Sequence, residues 1–322
     1  MRNILEDLNV LIVGYRRAEN ILHILNICKN SGISNIFISI DGPKANNTEG
    51  QIDSNKIQNT IDNFKSTFIG NLTIHFRASN VGCAASVMSS CDWFFKQTEY
   101  GVVLEDDCIP TEAFFLFAKS MEEKIINDAE IWLACGTQFA PKELINNSAI
   151  ISRYALTWGW ATSKLKWFDI KRSIFENSQS KGLGNDSLGF VENVYWKAGA
   201  RRAYQGFTDV WDTVLVYRMQ LENKYAILPP ENLISNIGND FAATHTHGNS
   251  VFLNRNVGSY FGSEGIFYSD KVDGWLRNNL YKISLKHIVS TKIRFLLDLF
   301  QSKRRNNAGL IDRWNDGEIM TI

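Results

Sequence analysis

The sequence predicts an α/β protein whose central, mostly parallel sheet is flanked by helices. Short apolar runs rich in β-branched residues alternate with segments whose apolar residues repeat at helical spacing. The first four apolar runs each end at polar or charged residues, which marks abrupt strand ends. Strands that alternate with helices indicate a parallel sheet built from right-handed crossovers.

The first half of the chain supplies most of this pattern. Apolar periodicity near residues 21–28 and 57–68, and from Cys83 to about Gln97, predicts three helices between the strands. The intervening polar segment 44–56 is typical of a loop. The predicted strands are 9–14, 35–40, 72–76 and 101–104.

Composition narrows the class of protein. The 322 residues are 44% hydrophobic and 21% charged with zero formal net charge, which is typical of a soluble globular protein and predicts no nucleic-acid partner. Five cysteines without a CxxC pair indicate reduced thiols. No apolar run approaches the roughly 18–20 residues of a membrane span. The charged first residues predict no signal peptide, so we expect a cytoplasmic protein.

Three adjacent carboxylates, Glu105, Asp106 and Asp107, follow the strand 101–104 and precede the helix breaker Pro110. The carboxyl ends of strands are where open α/β sheets bind ligands. Adjacent carboxylates repel each other, and a hard divalent cation such as Mg²⁺ or Mn²⁺ would relieve this while sharing its coordination with substrate phosphates. The alternative is a solvated acidic turn in which Asp107 caps the following helix.

Four motifs occur in a fixed order, namely NVLIVGYRRAENI, ISIDGPK, NVGCAASVMSSCDWFF and VVLEDDCIP. Together they resemble the nucleotide-sugar half of GT-A glycosyltransferases of bacterial family 2. They are also similar to motifs of the N-acetylglucosaminyltransferase that starts complex N-glycan branching. The resemblance spans roughly residues 8–245 and is looser after residue 110. It implies a Rossmann-like GT-A domain at 1–250, with a nucleotide-sugar half (1–110) and an acceptor half (111–250), followed by a C-terminal helical extension at 251–322.

The resemblance also implies roles for individual residues. Asp107 would ligate the metal directly, Asp106 would face the ribose or metal-bound waters, and Asp41 would meet the nucleoside. Arg16 and Arg77 would lie near the nucleotide, although both could be surface charges at strand ends, and Asp41 before Gly-Pro could be a turn former. Further residues expected at the nucleotide sugar are Tyr15, Asn80 and Glu105.

Two tryptophans, Trp158 and Trp160, enclose Gly159 in the acceptor half. Aromatic faces are good platforms for sugar rings, and related enzymes place such a segment beside the donor sugar. Ordinary burial in the core is the alternative for each tryptophan. The polar, glycine-bearing segment 176–189 could cover the site as a lid.

The segment Thr208–Tyr217 contains a Trp-Asp pair, Trp211 and Asp212, at the start of a predicted helix. Asp212 resembles in position the catalytic base of inverting GT-A enzymes, which takes the proton from the acceptor hydroxyl. Asp209 is the second candidate for the base. A carboxylate at a helix start could instead serve only as a cap.

His245 and His247 have a spacing that points both side chains the same way in an extended segment. His245 could complete the metal site, although such histidines more often lie on surface loops or touch a phosphate.

The region 281–305 has seven Lys or Arg against one acid, together with an apolar stripe at helical spacing. Such a basic amphipathic helix could contact the inner face of a membrane or dock on protein.

These observations predict a metal-dependent inverting glycosyltransferase that acts in bacterial surface polysaccharide synthesis. Its donor would be a nucleoside-diphosphate sugar, with UDP favoured, and its acceptor a glycan or glycolipid. A sugar-phosphate nucleotidyltransferase is one alternative, but it requires a glycine-rich loop after the first strand, where this chain has only Gly14. A carbohydrate-binding or scaffold protein without catalysis is another.

Overall fold

The chain is described here from a computed structural model, which covers residues 3–176, 189–238, 255–260, 262, 265–286, 289, 293 and 309–316. The strands are β1 (Asn9–Gly14), β2 (Asn35–Ile40), β3 (Asn71–Phe76), β4 (Tyr100–Glu105), β5 (Cys108–Pro110), β6 (Ile131–Cys135), β7 (Ala149–Ser152), β8 (Trp160–Ser163), β9 (Tyr225–Leu228), β10 (Ile234–Asn236) and β11 (Ile266–Tyr268). The helices are α1 (Ala18–Asn30), α2 (Thr48–Lys65), α3 (Cys83–Phe95), α4 (Glu112–Asn127), α5 (Lys142–Ile145), α6 (Lys164–Glu176), α7 (Phe190–Tyr204), α8 (Asp212–Leu221), α9 (Asp270–Trp275), which continues into a π-helical turn (Leu276–Leu280), and α10 (Leu310–Asp316).

Within the described residues, nine strands form one sheet in the order β11-β7-β9-β6-β8-β4-β1-β2-β3. Strands β3, β2, β1 and β4 are parallel neighbours, as are β6 with β9 and β11 with β7. Strand β8 runs antiparallel between β4 and β6, and β7 runs antiparallel to β9. The predicted fold class, α/β with a mostly parallel sheet flanked by helices, is therefore confirmed.

Both faces of the sheet are covered by apolar side chains. One face packs under α1, α2 and α4, and the other under α3, α6 and α8. Strands β1, β2 and β4 are almost continuously buried, which explains why their sequences are apolar runs without alternation. Helix α3 is buried along nearly its whole length, so it too lacks a polar face.

The start of helix α2 differs from the sequence prediction. The helix begins at Thr48, within the segment predicted as a loop. The Asn47 side chain accepts a hydrogen bond from the Gly50 backbone N–H at 3.0 Å, which caps the helix. Polar residues on the solvent face hid this first part of the helix from a prediction based on apolar spacing.

A two-stranded sheet of β5 and β10 lies beside the main sheet. It carries residues 236–238 back toward the end of β4, where the Ile237 N–H donates to the Asp107 carbonyl oxygen at 2.9 Å. A distant segment therefore becomes a neighbour of the acidic residues.

The C-terminal helix α10 packs against α3, with Leu310 and Trp314 buried. Most of the predicted basic amphipathic helix lies outside the described residues. No helix in the described part of the chain has the length and apolar character needed to cross a membrane.

Candidate active site

A cleft of about 240 Å³ opens at the carboxyl ends of β1, β2 and β4. We call it the candidate cleft. Its walls come from the residues after these three strands, the start of α3, the start of α8, and the segments before β8 and after β10. Of the residues predicted from the sequence, Tyr15, Arg16, Asp41, Asn80, Glu105, Asp106, Asp107, Trp158 and Asp212 line it. The carboxyl ends of parallel strands thus meet where ligand binding is expected.

The acidic triplet Glu105–Asp107 forms one wall. The Tyr15 N–H donates to Asp106 Oδ2 at 2.9 Å, and Arg17 Nη1 donates to Asp106 Oδ1 at 2.7 Å. The same Arg17 nitrogen lies 3.4 Å from Asp107 Oδ2. Both oxygens of Asp106 therefore have protein partners, whereas Asp107 has the weaker of the two contacts with Arg17.

Helix α4 does not use Asp107 as its cap. Its N-cap is Thr111, whose hydroxyl accepts a hydrogen bond from the Phe114 N–H at 3.3 Å. The alternative that Asp107 serves as a helix cap is therefore wrong.

Burial and mutual repulsion both disfavour ionisation of the triplet. Burial, together with the charges of Asp107 and Asp106, raises the pKa of Glu105 to about 8. Burial and the charge of Asp106 likewise raise the pKa of Asp107, partly offset by Arg17. Crowded carboxylates with raised pKa values favour binding of a cation.

A divalent metal at the acidic triplet would be held by few protein ligands. In the part of the chain that the structure describes, no three His, Cys, Asp or Glu side chains are grouped so as to hold a metal ion. Mg²⁺ is, however, often bound through one or two carboxylates, with substrate phosphates and water completing its shell. Asp107 fits this arrangement because it lines the cleft, its contact with Arg17 is long at 3.4 Å, and its Oδ1 accepts a hydrogen bond from the Cys108 thiol, a weak donor, at 3.3 Å. His245, the second predicted ligand, lies outside the described residues.

Asp41 lies at the end of β2, where it is 4% exposed. Asn80 Nδ2 donates to its Oδ2 at 2.7 Å, and the Val81 and Gly42 N–H groups donate to its Oδ1 at 3.1 and 3.0 Å. Asp41 thus ties the end of β2 to the loop before α3. Burial raises its pKa to about 6, although these backbone donors and Arg77 oppose the shift.

The raised pKa of Asp41 predicts a specific pH dependence of stability. A carboxyl group with a higher pKa in the folded protein binds protons more tightly there, so its contribution is full below pH 3.8 and is lost as the pH rises toward 6. We expect the free energy of unfolding of wild type, minus that of Asp41→Asn, to fall by about 1–3 kcal/mol between pH 4 and 6.5. Urea unfolding of both proteins across this range measures it, and parallel pH profiles would contradict it.

The two predicted arginines occupy different environments. Arg16 lines the cleft, and its Nε pairs with Asp53 Oδ2 at 2.5 Å. Arg77 is not among the described residues that line the cleft, and its Nη2 donates to Ser89 Oγ at 2.7 Å. Burial lowers the pKa of Arg77, and the charge of Asp41 opposes this. Arg77 therefore contacts helix α3 and acts on Asp41 through its charge.

The two tryptophans also separate. Trp158 is half-buried and lines the cleft, whereas Trp160 is 1% exposed and packs against Trp167 and Trp211 at ring-centroid distances of 5.9 and 5.5 Å. Gly159 has φ +72°, and a Cβ there would lie 2.7 Å from Ile234 Cδ1. Glycine lets the chain turn between a tryptophan in the cleft and one in the core.

Asp212 is the first residue of α8, where it is exposed and lines the cleft. Its Oδ1 accepts a hydrogen bond from the Thr213 N–H at 2.6 Å. Its charge also contributes to the raised pKa of Glu105.

Asp209, the second candidate for the base, is occupied by protein partners. Its Oδ2 accepts from the Cys83 N–H at 2.8 Å and its Oδ1 from the Ala84 N–H at 3.2 Å. The carboxylate therefore sits at the positive end of α3, where an anion is stabilised by the helix dipole.

Sequence reasoning gave no role to several residues that line the cleft. Arg17 adjoins the predicted Arg16, but only the fold shows which of the two reaches the acidic triplet. Asn236 carries no signal in the sequence because its place depends on the pairing of β10 with β5. The cleft residues without a predicted role include Arg17, Lys44, Cys83 and Asn236.

Known proteins do not identify a family for this chain. No protein family and no curated protein matches the chain, so the resemblance to family 2 glycosyltransferases remains a prediction. A solved structure of UDP-glucose pyrophosphorylase complexed with UDP-glucose is 8% identical with a TM-score of 0.37, covering 69% of this chain and 90% of that one. HddC from Yersinia pseudotuberculosis is 12% identical with a TM-score of 0.29, covering 49% and 77%. The strand order itself defines a Rossmann-like α/β protein, with the candidate cleft at the carboxyl ends of its strands.

Proposed function

We propose that this chain is a metal-dependent glycosyltransferase on a GT-A-type fold. It would move a sugar from a nucleoside-diphosphate donor, with UDP favoured, to a hydroxyl group of a glycan or glycolipid. The observation that supports this most is the joint placement of the acidic triplet, Asp212 and Trp158 around one cleft.

The donor would bind with its diphosphate near the acidic triplet. Arg17 contacts the triplet, and Lys44 also lines the cleft. Both provide positive charge for phosphate oxygens. Asp107 would hold a Mg²⁺ or Mn²⁺ ion, which supplies charge stabilisation for the departing diphosphate. Asp41 and Asn80 would orient the nucleoside from the end of β2.

Asp212, which lines the same cleft, would act on the acceptor. It takes the proton of the acceptor hydroxyl while that oxygen forms a bond to the anomeric carbon. The bond between the anomeric carbon and the phosphate oxygen breaks, and its electrons leave with the nucleoside diphosphate. Attack from the face opposite the leaving group inverts the anomeric configuration.

Trp158 would supply an apolar surface for a sugar ring. Its indole meets the ring of Phe139 edge-on, with centroids 5.3 Å apart and planes at 88°. The Arg255 guanidinium in turn lies 5.5 Å from the centroid of the Phe139 ring. Because this packing fixes the indole in place, stacking on a sugar would cost little side-chain entropy.

A sugar-phosphate nucleotidyltransferase is the second candidate function. Three basic residues near the end of β1 and β2, Arg16, Arg17 and Lys44, line the cleft and would suit a triphosphate. Against it, the loop after β1 has one glycine, whereas this class needs a glycine-rich loop to hold a triphosphate. A binding protein without turnover would use the same cleft.

One assay separates these functions. The protein is incubated with a panel of nucleoside-diphosphate sugars and Mn²⁺, with glycan acceptors in one arm and pyrophosphate in the other. Release of nucleoside diphosphate with formation of a glycoside supports the transferase. Formation of a nucleoside triphosphate and a sugar phosphate supports the nucleotidyltransferase. Glycan binding that persists in EDTA without turnover in either arm supports the binding protein.

The stereochemistry of the product tests the mechanism. Single displacement assisted by Asp212 is expected to convert an α-linked donor into a β-linked product. NMR of the anomeric proton in the purified product gives the configuration directly. A retained α configuration would contradict both the inverting mechanism and the role of Asp212.

A further inference from the structure

Arg313, in the C-terminal helix α10, reaches the segment that leads into the candidate cleft. Its Nη1 lies 2.7 Å from Asp209 Oδ1, and its Nη2 donates to the Thr208 carbonyl oxygen at 3.3 Å. One guanidinium thus holds both a side chain and a backbone carbonyl. The planar fork of arginine suits two acceptors in this way, whereas lysine carries a single point charge.

Asp209 transmits this contact to the start of α3. Its carboxylate accepts from the N–H groups of Cys83 and Ala84, as described above. Gly82 precedes them with φ +89°, and a Cβ at that position would lie 2.7 Å from Asp209 Oδ2. The carboxylate therefore fits closely against the helix end, and both Gly82 and Cys83 line the cleft.

Helix α10 is anchored independently of Arg313. Trp314 is 1% exposed, and its Nε1 donates to Asp92 Oδ2 at 2.9 Å. Its ring packs on Trp167 and Phe175 at centroid distances of 5.9 and 4.8 Å. The helix thus provides a fixed base from which Arg313 extends to the cleft wall.

We propose that Arg313 is a positioning residue for the candidate active site. By holding Thr208 and Asp209, it fixes both the segment that ends at Asp212 and the start of α3. The part of this inference that concerns turnover rests on the proposed function, because it takes Asp212 as the base.

The exposure of the contact between Arg313 and Asp209 indicates that it serves geometry more than stability. The side chains of Arg313 and Asp209 are 21% and 28% exposed, and partly exposed ion pairs contribute little to folding. A shift of about 1 Å in a reacting group, by contrast, can cost on the order of 10²-fold in rate. Loss of Arg313 should therefore affect turnover more than melting temperature.

The experiment compares neighbouring residues on the same helix in the full-length protein. Arg313→Met is expected to lower the transfer kcat by about 10- to 100-fold, with the donor KM within about twofold of wild type. Arg313→Lys should recover part of the loss, because it restores one charged donor to Asp209. Asn315→Ala is the matched control, because Asn315 is an exposed residue of the same helix, and it should leave both kcat and the melting temperature near wild type.

A second measurement does not depend on turnover. All five cysteines lie among the described residues, and Cys83 is partly exposed whereas the other four are buried. Loosening the start of α3 in Arg313→Met should raise the rate of Cys83 alkylation by iodoacetamide on the order of three- to tenfold. The same measurement in a Cys83→Ser background identifies the reacting thiol, and Asn315→Ala should leave the rate near wild type.

The outcomes are distinguishable. A wild-type protein without transferase activity would contradict the proposed function, while the alkylation rate would still show whether Arg313 holds α3. Unchanged kcat and unchanged alkylation in folded Arg313→Met would overturn the positioning role. So would a loss of kcat in Asn315→Ala equal to that in Arg313→Met at a temperature where both are folded.

Discussion

Asp212→Asn is expected to lower the rate of sugar transfer by about 10²- to 10⁴-fold, the usual contribution of a general base. Asparagine keeps nearly the same shape, and its side-chain oxygen can still accept the hydrogen bond from the Thr213 N–H. The change therefore removes the proton acceptor with little effect on the start of α8. Because the proposed function assigns Asp212 to the acceptor and not to the donor, nucleotide and metal affinity should stay within about twofold of wild type.

Steady-state transfer assays and calorimetric titration with UDP and Mn²⁺ measure the two effects separately. Asp169→Asn is a matched control. The Asp169 side chain is exposed and forms an ion pair with Arg172, three residues further along the same helix. If Asp212→Asn weakens UDP binding as strongly as a substitution of Asp107, then Asp212 belongs to the donor site. If it changes neither transfer nor binding, the carboxylate only stabilises the helix start.

Asp107→Ala is expected to reduce transfer by on the order of 10³-fold or more, since a bound metal contributes several kcal/mol of charge stabilisation in reactions of this kind. The same substitution should abolish the part of UDP affinity that depends on Mn²⁺. The fold should remain intact, because Asp107 has a long contact with Arg17 and a hydrogen bond from the Cys108 thiol, a weak donor, and because relieving the repulsion within the triplet favours the ligand-free protein.

Titration with UDP in Mn²⁺ and in EDTA measures the metal-dependent part of binding, and circular dichroism checks the fold. Asp128→Ala serves as the control, because Asp128 pairs with Lys124 at the end of α4, outside the residues that line the cleft. Near-normal transfer by Asp107→Asn in EDTA would rule out the metal role.

The sheet and one wall of the cleft were predictable because their signals are local. Buried strands such as β1 and β4 appear in the sequence as apolar runs, and the triplet begins at the last residue of β4. The parallel arrangement then requires the ends of β1, β2 and β4 to meet at one edge. Asp41 and the acidic triplet share a cleft for this reason.

The remaining site residues depend on contacts between distant segments. Asp209 reaches the start of α3 across more than one hundred residues, and Arg313 reaches Asp209 from the far end of the chain. Neither pair has a local pattern. The separation of Trp158 from Trp160 follows from the turn at Gly159, which apolar spacing does not encode.

The reversed direction of β8 has a consequence for how this site can diversify. Trp160 pairs with Val103, so the residues before β8 emerge at the edge where β4 ends. The donor wall is thus built by segments that leave the sheet, and the Trp158 wall by a segment that enters it. An insertion between β7 and β8 would lengthen the second wall without disturbing the triplet. Under the proposed function, preference for the sugar that contacts Trp158 can therefore change by loop variation while the acidic triplet stays the same.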